Sequence, residues 1–190
     1  MFDILFSQCK IIFEIVNKFI IEVCMKKCCF TGHRPRHLPW GYDESHPMCQ
    51  RLRVKLKEEI TLALYDGYNY FITGMAEGFD TIALEVLHEL KLEGNNIFIE
   101  GAIPCLGQED KWSKRSQIRY KNNLKNLDKI TILSEKYTSS CMQDRNDYML
   151  ENCDRVIACF LGRYGGTSST ITKAKSLGKE VILIDNLEKD

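Results

Sequence analysis

Short apolar runs alternate with amphipathic segments from residue 26 onward, and this alternation constrains the fold more than any other feature of the sequence. The apolar runs predict six strands, at residues 28–31, 70–73, 97–99, 130–133, 156–160 and 181–184. The segments between them predict helices within 52–64, 79–90, 111–126, 143–152 and 168–177. Because strands and helices alternate and the strands are continuously apolar, we expect a mostly parallel sheet covered on both faces. The predicted fold class is α/β, a single three-layer domain.

Residues 1–24 combine a wide apolar face with a narrow polar stripe. Charged side chains recur in this segment at every fourth position: Lys10, Glu14, Lys18 and Glu22. This spacing predicts an amphipathic helix, and the charges leave no apolar run long enough to span a bilayer. No basic region opens the segment as it would in a signal peptide. We expect the helix to pack on its own domain or on a second subunit of a homo-oligomer. A helix on a membrane surface and a natural start at Met25 are the alternatives.

The balanced charge composition gives the protein no overall positive charge that would attract nucleic acid. Lys plus Arg and Asp plus Glu each number 26, so the formal net charge is +0 at pH 7. A local basic patch remains open. The nine cysteines show neither a C-x-x-C pair nor the spacing of a zinc site. We therefore expect a reduced, cytoplasmic protein in which Cys28, Cys29 and Cys159 are core residues.

Three of the predicted strands are followed by glycine-containing turns, at residues 31–35, 73–80 and 162–167. Ligands of open α/β sheets bind beyond the carboxyl ends of the strands, so the three turns should face one crevice. Glycine lets backbone N–H groups approach a ligand, and a helix N-terminus adds free donors. We expect a phosphate-bearing ligand there, with these candidate residues: Gly32, His33, Arg34, Gly74, Met75, Ala76, Glu77, Gly78, Asp80, Gly165, Gly166, Thr167, Ser168 and Thr170.

Each turn also has a purely structural interpretation. Tight turns between strands and helices use glycine without any ligand, and Asp80 and Thr167 are both candidate N-caps. The arginines at 34 and 36 suit either phosphate oxygens or plain solvent. Trp112 suits either stacking on a base or anchoring a helix to the sheet.

Two pairs of polar residues suggest other chemistry. His33 and His37 lie four residues apart, but the proline between them prevents a helix from presenting both to one metal, so no metal site is predicted. Glu77 and Asp80 are candidates for contact with a ribose, as an acidic residue makes in dinucleotide sites.

Several stretches of the chain carry a family resemblance. The sequence Cys-Cys-Phe-Thr-Gly-His-Arg-Pro at 28–35 resembles the opening of the YpsA-like proteins of the SLOG superfamily. Further similar motifs lie at 73–80, 103–112, 145–149 and 165–167, in the order of that family. The resemblance implies a Rossmann-like SLOG domain over residues 25–190, with 1–24 as an extension. It also adds Arg145 and Asn146 to the candidate ligand-binding residues.

The SLOG superfamily includes the DNA-processing protein DprA and the LOG phosphoribohydrolases. Residues 142–149 are similar to the first half of the phosphoribohydrolase signature, M-x-x-R-K-x-x-M, with Asn146 in place of lysine. In the second half, P-G-G-x-G-T-x-x-E, Thr170 stands where the glutamate would be. Glycosidic cleavage through an oxocarbenium-like state is helped by a carboxylate. The resemblance therefore implies the ligand site without implying hydrolysis.

Three functions follow as expectations. The resemblance favours a cytoplasmic binding or sensor protein for a nucleotide-derived ligand such as ADP-ribose or NAD, with no membrane span. An enzyme that cleaves a nucleotide N-glycosidic or phosphate bond is the alternative, using Arg145 with Glu77, Asp144 or Asp147 in place of the missing glutamate. The third is a DprA-like binder of single-stranded DNA that uses the basic residues of one helix, Arg51, Arg53, Lys55 and Lys57.

Overall fold

The computed structural model describes residues 25–162 and 165–187. Within them the chain forms six strands: β1 Lys26–Gly32, β2 Tyr68–Thr73, β3 Phe98–Ile103, β4 Lys129–Ile132, β5 Arg155–Cys159 and β6 Glu180–Ile184. All six predicted strands are therefore confirmed. The helical extension predicted for residues 1–24 lies outside the described residues and stays a prediction.

Helices connect the strands, and each contributes buried side chains to the domain. Their bounds are α1 Pro47–Tyr65, α2 Phe79–Leu92, α3 Lys114–Leu124, α4 Cys141–Glu151 and α5 Gly166–Ser176. The helix predicted from residue 111 begins later, because the Ser113 hydroxyl accepts a hydrogen bond from the Ser116 N–H at 3.1 Å and caps α3 there. The loop between β1 and α1 contains a single 3-10 turn, Pro35–His37.

Two expected helix caps are wrong. Gly78, not Asp80, is the N-cap of α2: its φ of 92° favours glycine, and a Cβ there would overlap the His33 carbonyl oxygen. Gly165, not Thr167, is the N-cap of α5. Both polar side chains thus lie inside the first turn of their helices, where they are available for contacts other than capping.

The six strands form one parallel sheet in the order β4-β3-β2-β1-β5-β6. The chain steps outward from β1 to β4 and then returns to the other side of β1 to form β5 and β6. The strand order therefore reverses between β1 and β5. In sheets of this type, the crevice beyond the carboxyl ends of the strands at such a reversal is where ligands bind.

The core lies on both faces of the sheet, as the continuously apolar strands predicted. One cluster of buried side chains joins the sheet to α1, α2 and α3, and the other joins it to α4 and α5. Cys28 and Cys159 belong to the first cluster and Cys29 to the second, which confirms them as core residues. Trp112 packs at the edge of the first cluster, edge-on to the Tyr120 ring at 5.4 Å, and so anchors the segment that leads into α3.

No helix within the described residues is long and apolar enough to cross a membrane. In the same part of the chain, no cluster of three or more His, Cys, Asp and Glu side chains is placed to hold a metal ion.

Candidate functional site

A cavity of about 350 Å³ lies at the carboxyl end of β1, next to β5, where the strand order reverses. Its volume lies within the range of small-molecule sites in proteins. Residues from all three glycine turns and from α4 line it: Phe30, Thr31, Gly32, His33, Arg34, Arg36, His37, Ala76, Asp80, Met142, Arg145, Asn146, Met149, Gly165, Gly166 and Thr167. The structure thus brings the three turns to one crevice, as the strand–glycine pattern predicted.

The turn after β1 forms one wall of the cavity. Gly32 packs against the Phe79 ring so closely that any Cβ at this position would overlap it, and the His33 carbonyl accepts the Phe79 N–H at 3.2 Å. The His33 side chain is buried, and its Nε2 accepts the Leu161 N–H at 3.2 Å. These contacts hold the start of the loop in place, so that Arg34 and Arg36 line the cavity.

The turn after β2 positions a buried ion pair. The Arg145 guanidinium donates to the Gly74 carbonyl, and its Nη1 lies 3.6 Å from Oδ2 of Asp80. The Asp80 carboxylate also accepts the Ala76 N–H at 3.3 Å. A Cβ on Gly74 would overlap both the guanidinium and the carboxylate. Glycine is therefore needed at 74 to let the ion pair approach the backbone.

Burial sets the electrostatics of this pair. Asp80 is 7% exposed and Arg145 is 6% exposed. Loss of solvation raises the pKa of the Asp80 carboxyl, while the Arg145 and Arg34 guanidiniums act in the opposite direction. Nη2 of Arg145 makes no hydrogen bond to any residue that the structure describes. An arginine that lines a cavity with a donor to spare is suited to an anionic ligand.

A chain of hydrogen bonds links this ion pair to α5. Nε of Arg145 donates to Oδ1 of Asn146 at 2.8 Å, and Nδ2 of Asn146 donates to the Thr170 hydroxyl at 3.2 Å. The Thr170 hydroxyl in turn donates to the Gly166 carbonyl at 2.9 Å. The first turn of α5 is thereby held against α4, with Gly166 and Thr167 at the cavity wall.

The N-terminus of α5 supplies hydrogen-bond donors to the cavity. The first N–H groups of a helix have no carbonyl partner within the helix, and the helix dipole favours negative charge beside them. The Thr167 side chain is buried, and its hydroxyl has no hydrogen-bond partner among the described residues. The Ser168 hydroxyl instead accepts the Gly165 N–H at 3.0 Å and donates to the Gly165 carbonyl at 2.8 Å. Thr167 is the hydroxyl here that remains for a ligand.

The remaining candidate residues lie just behind the cavity or beside it. Ser168 and Thr170 support the first turn of α5, and the Gly74 carbonyl accepts a hydrogen bond from Arg145. Met75 is buried, and its carbonyl accepts a hydrogen bond from the Gln108 side chain at 3.2 Å. Glu77 and Gly78 line a small neighbouring groove together with Trp40 and Trp112, and the Tyr42 hydroxyl lies 3.5 Å from the Glu77 carboxylate. Neither residue belongs to the cavity wall.

Two methionines of α4 line the cavity, although they were matched only to the phosphoribohydrolase signature and were not among the candidate ligand-binding residues. Met142 and Met149 share one face of the helix with Arg145 and Asn146, at i, i+3, i+4 and i+7. That spacing was visible in the sequence and could have identified all four together. The Met142 sulfur lies 3.9 Å from Nη2 of Arg34, so this face also contacts the opposite wall of the cavity.

The basic residues of α1 are engaged within the domain. Arg53 pairs with Glu85 and Glu89, and Lys57 pairs with Glu93. The other two basic side chains donate to backbone carbonyls near the end of the described chain, Arg51 to residue 187 and Lys55 to residue 186. The charge of Arg53 and Lys57 is thus partly neutralised by the domain's own carboxylates, and Arg51 and Lys55 are held by backbone carbonyls.

Comparison with known proteins gives the family. The model of the YspA SLOG family matches residues 28–180. The chain belongs to this family. It is 30% identical over 143 residues, or 68% of its length and 84% of the relative's, to the uncharacterized SPbeta prophage-derived protein YoqJ of Bacillus subtilis strain 168. It is also 24% identical over 159 residues to a UPF0398 protein of Bacillus thuringiensis strain Al Hakam, covering 83% of this chain and 86% of the relative.

The fold is also similar to two solved structures of DNA processing protein A. The protein from Streptococcus pneumoniae aligns with a TM-score of 0.54 and 16% identity, over 87% of this chain and 52% of that one. The protein from Helicobacter pylori, described for its single-stranded DNA binding mode, aligns with a TM-score of 0.55 and 18% identity, over 86% and 66%. This chain therefore spans about half to two-thirds of the length of these proteins, and the likeness concerns the fold.

Proposed function

We propose that this protein binds a nucleotide-derived ligand, such as ADP-ribose or NAD, and serves as a binding or sensor protein in the cytoplasm. The observation that carries the proposal is the cavity beside β1 and β5. There the Arg145 guanidinium and the N-terminus of α5 offer hydrogen-bond donors to the same space. Membership of the SLOG family supports the same conclusion.

The phosphate group is the part of the ligand that these features fit best. A helix N-terminus stabilises an anion by about 0.3–1 kcal/mol, and by up to roughly 2 kcal/mol when the site is partly buried. Each charge-assisted hydrogen bond adds about 1.5–3 kcal/mol. Gly166 has no side chain to occlude the N–H groups at the start of α5, and the buried Thr167 hydroxyl lies beside them. We place the phosphate at this end of the cavity.

Binding is favoured over hydrolysis by the placement of the carboxylates. Asp80 is the carboxylate that lines the cavity, and it is already held by Arg145 and by the Ala76 N–H. The acids considered as replacements for the missing glutamate have other partners. Asp144 accepts the Ser140 hydroxyl at 2.9 Å, and Asp147 pairs with Lys173 at 2.8 Å. Neither lines the cavity.

The test combines ligand binding with analysis of the ligand afterwards. The protein is screened by thermal shift against AMP, ADP-ribose, NAD and inorganic phosphate, and titrated by calorimetry with whichever raises the melting temperature. The incubated nucleotide is then separated by chromatography. We expect stabilisation by at least one nucleotide, recovered intact. Efficient release of free base would contradict the sensor proposal, and no stabilisation by any of them would contradict the binding proposal.

Single-stranded DNA is the second candidate ligand, because the Helicobacter pylori protein of similar fold is described as binding it. Binding along a phosphate backbone weakens steeply with salt, whereas binding of one enclosed nucleotide weakens much less. Fluorescence anisotropy with a labelled oligothymidine at low and at moderate salt separates the two. We expect oligonucleotide binding to be weak and to fall steeply with added salt, whereas the affinity for the nucleotide should change little with salt.

We also propose that the protein assembles as a homo-oligomer through residues 1–24. The support is their predicted apolar face, which requires a partner surface. Light scattering compares the full chain with a chain that starts at Met25. We expect the shorter chain to form an oligomer of fewer chains, or a monomer. It should keep the circular dichroism spectrum of the full chain, since all six strands lie beyond residue 25. Loss of the folded spectrum would show that the segment belongs to the core.

A further inference from the structure

Two pairs of cysteine sulfurs lie close together beside α4, one at each end of the helix. At its start, the sulfurs of Cys105 and Cys141 are 4.0 Å apart. Just past its end, the sulfurs of Cys29 and Cys153 are 3.2 Å apart. All four thiols are reduced and buried. A disulfide requires a sulfur separation of about 2.05 Å, so the two sulfurs of each pair must move closer before a bond can form.

The surroundings of the two pairs differ more than their distances do. Cys29 lies in the middle of β1, in register with Ile72 of β2 and Val156 of β5, so reaching its sulfur requires the centre of the sheet to open. Cys105 lies in the loop after β3, and the next residue, Leu106, is 56% exposed. Cys141 is the first residue of α4 and follows the exposed loop 135–140.

We propose that low-molecular-weight disulfides such as oxidised glutathione oxidise Cys105 and Cys141 to a reversible intramolecular disulfide. Only local opening of two surface loops is needed to reach this pair, and such openings cost much less free energy than global unfolding. The bond would join the loop after β3 to the first turn of the helix whose Met142, Arg145 and Asn146 line the cavity.

The reaction is two thiol–disulfide exchanges. The thiolate of one cysteine attacks a sulfur of the small disulfide, which forms a mixed disulfide and releases one small thiol. The second cysteine then attacks the protein sulfur of that mixed disulfide and releases the second small thiol. The two protein thiols lose two electrons, the small disulfide gains them, and the protons from the cysteines end on the released thiols.

The pH dependence of the reaction has a definite sign. Burial and the neighbouring Cys141 raise the pKa of the Cys105 thiol above its ordinary value. Because the thiolate is the reactive species, the bond should form faster as the pH rises from about 7 to about 9. The nearby carboxylates of Asp110 and Glu109 also raise the pKa of the Cys105 thiol.

The experiment uses the full, reduced chain and oxidised glutathione. Free thiols are blocked with N-ethylmaleimide at successive times, and the peptides are mapped by mass spectrometry without reduction. We expect one intramolecular bond, between Cys105 and Cys141, which dithiothreitol reverses and which forms at least tenfold faster than any bond between Cys29 and Cys153. The mapping needs no nucleotide, so its outcome is independent of the proposed function.

Variants sharpen the assignment. The bond should persist in Cys29→Ser and disappear in Cys105→Ser and Cys141→Ala, whose melting temperatures report whether they fold. A glutathione adduct that persists on Cys105 or Cys141 in the wild-type chain would overturn the proposal. A bond from either residue to Cys9 or Cys24, or faster closure of Cys29 with Cys153, would overturn it as well.

Discussion

Arg145 and Arg155 are both buried arginines, 6% and 8% exposed, but they lie in different regions of the sheet. Arg155 opens β5 at the amino end of the strands. It makes two hydrogen bonds to Glu180, at 2.8 and 3.1 Å, and one to Asp66 at 2.7 Å, and it stacks on the Tyr68 ring at 4.2 Å. Arg145 lies at the carboxyl end beside the cavity, with one carboxylate at 3.6 Å.

Two buried carboxylates, Glu100 and Asp80, differ in the same way as the two arginines, in the number of hydrogen-bond partners that each has. Glu100 accepts hydrogen bonds from the hydroxyls of Tyr70, Thr131 and Tyr148 at 2.5–2.7 Å. Although burial acts in the opposite direction, these donors hold the pKa of Glu100 below its usual range. The pKa of Asp80 is raised, because burial outweighs its few partners. Glu100 and Arg155 are thus saturated with partners, whereas the pair at the cavity is incompletely satisfied, and we propose that this pair is available to the ligand.

The largest expected effect comes from exchanging each arginine for methionine. Arg145→Met should lower nucleotide affinity about 100-fold, or about 2.7 kcal/mol, because it removes charge-assisted hydrogen bonds to the ligand. Arg155→Met should leave the affinity within about twofold but lower the free energy of unfolding by about 2 kcal/mol. Calorimetry and urea denaturation measure the two quantities. Equal losses of affinity in both variants would break the comparison.

Gly166→Val tests the other half of the cavity. The branched side chain would occupy the space in front of the first N–H groups of α5, so nucleotide affinity should fall tenfold or more, which is about 1.4 kcal/mol. Gly166 lacks a positive φ, and a Cβ at this position would meet no other atom within 4 Å, so the fold should tolerate valine.

Two variants act as controls for that change. Thr167→Val keeps the shape of the side chain and removes its hydroxyl, and it should weaken binding less than Gly166→Val. Ser169→Val alters a residue of the same turn outside the cavity wall and should leave binding unchanged. Unchanged affinity in Gly166→Val, with an intact melting temperature, would mean that the two glycines serve the turn alone.

Glu100→Gln tests the structural side of the comparison. A carboxylate with a lowered pKa in the folded state contributes stability above its unfolded pKa of about 4.3, and loses it as the pH falls through the folded value. We expect the variant to be less stable than the wild type by about 2 kcal/mol at pH 7. The difference should shrink as the pH falls below about 4. Glu58→Gln, at a site outside the core, should show no such dependence; a difference independent of pH would contradict the assignment.

The smallest effect is expected from Thr170→Glu, which restores the position of the phosphoribohydrolase acid. Thr170 is buried and bridges Asn146 to the Gly166 carbonyl, so glutamate must displace this link before it can reach a ligand. We expect at most a trace of base release from AMP, since catalysis also needs the correct substrate pose. Chromatography of the incubated nucleotide measures it, and rapid release would show that one residue separates this site from a hydrolase.

The sequence alone determined the strands, their parallel arrangement and the meeting of the three glycine turns. Apolar runs report burial on both faces of a sheet directly, and strands that alternate with helices leave the chain few topologies. The glycines at 32, 74 and 166 were candidate site residues from the sequence, because their place after strands is a local property of the chain.

The tertiary structure decided which polar residues belong to the fold and which to the cavity. The family resemblance singled out Arg145, but no local pattern separates it from Arg155. The acids Asp80 and Glu77 were equal candidates, although only Asp80 lines the cavity among the described residues. Their roles depend on partners that lie 25 to 89 residues away along the chain, as in the ion pairs of Arg155. Local patterns carry no information about such partners, because side-chain packing between distant segments determines how many hydrogen-bond acceptors each buried charge can reach.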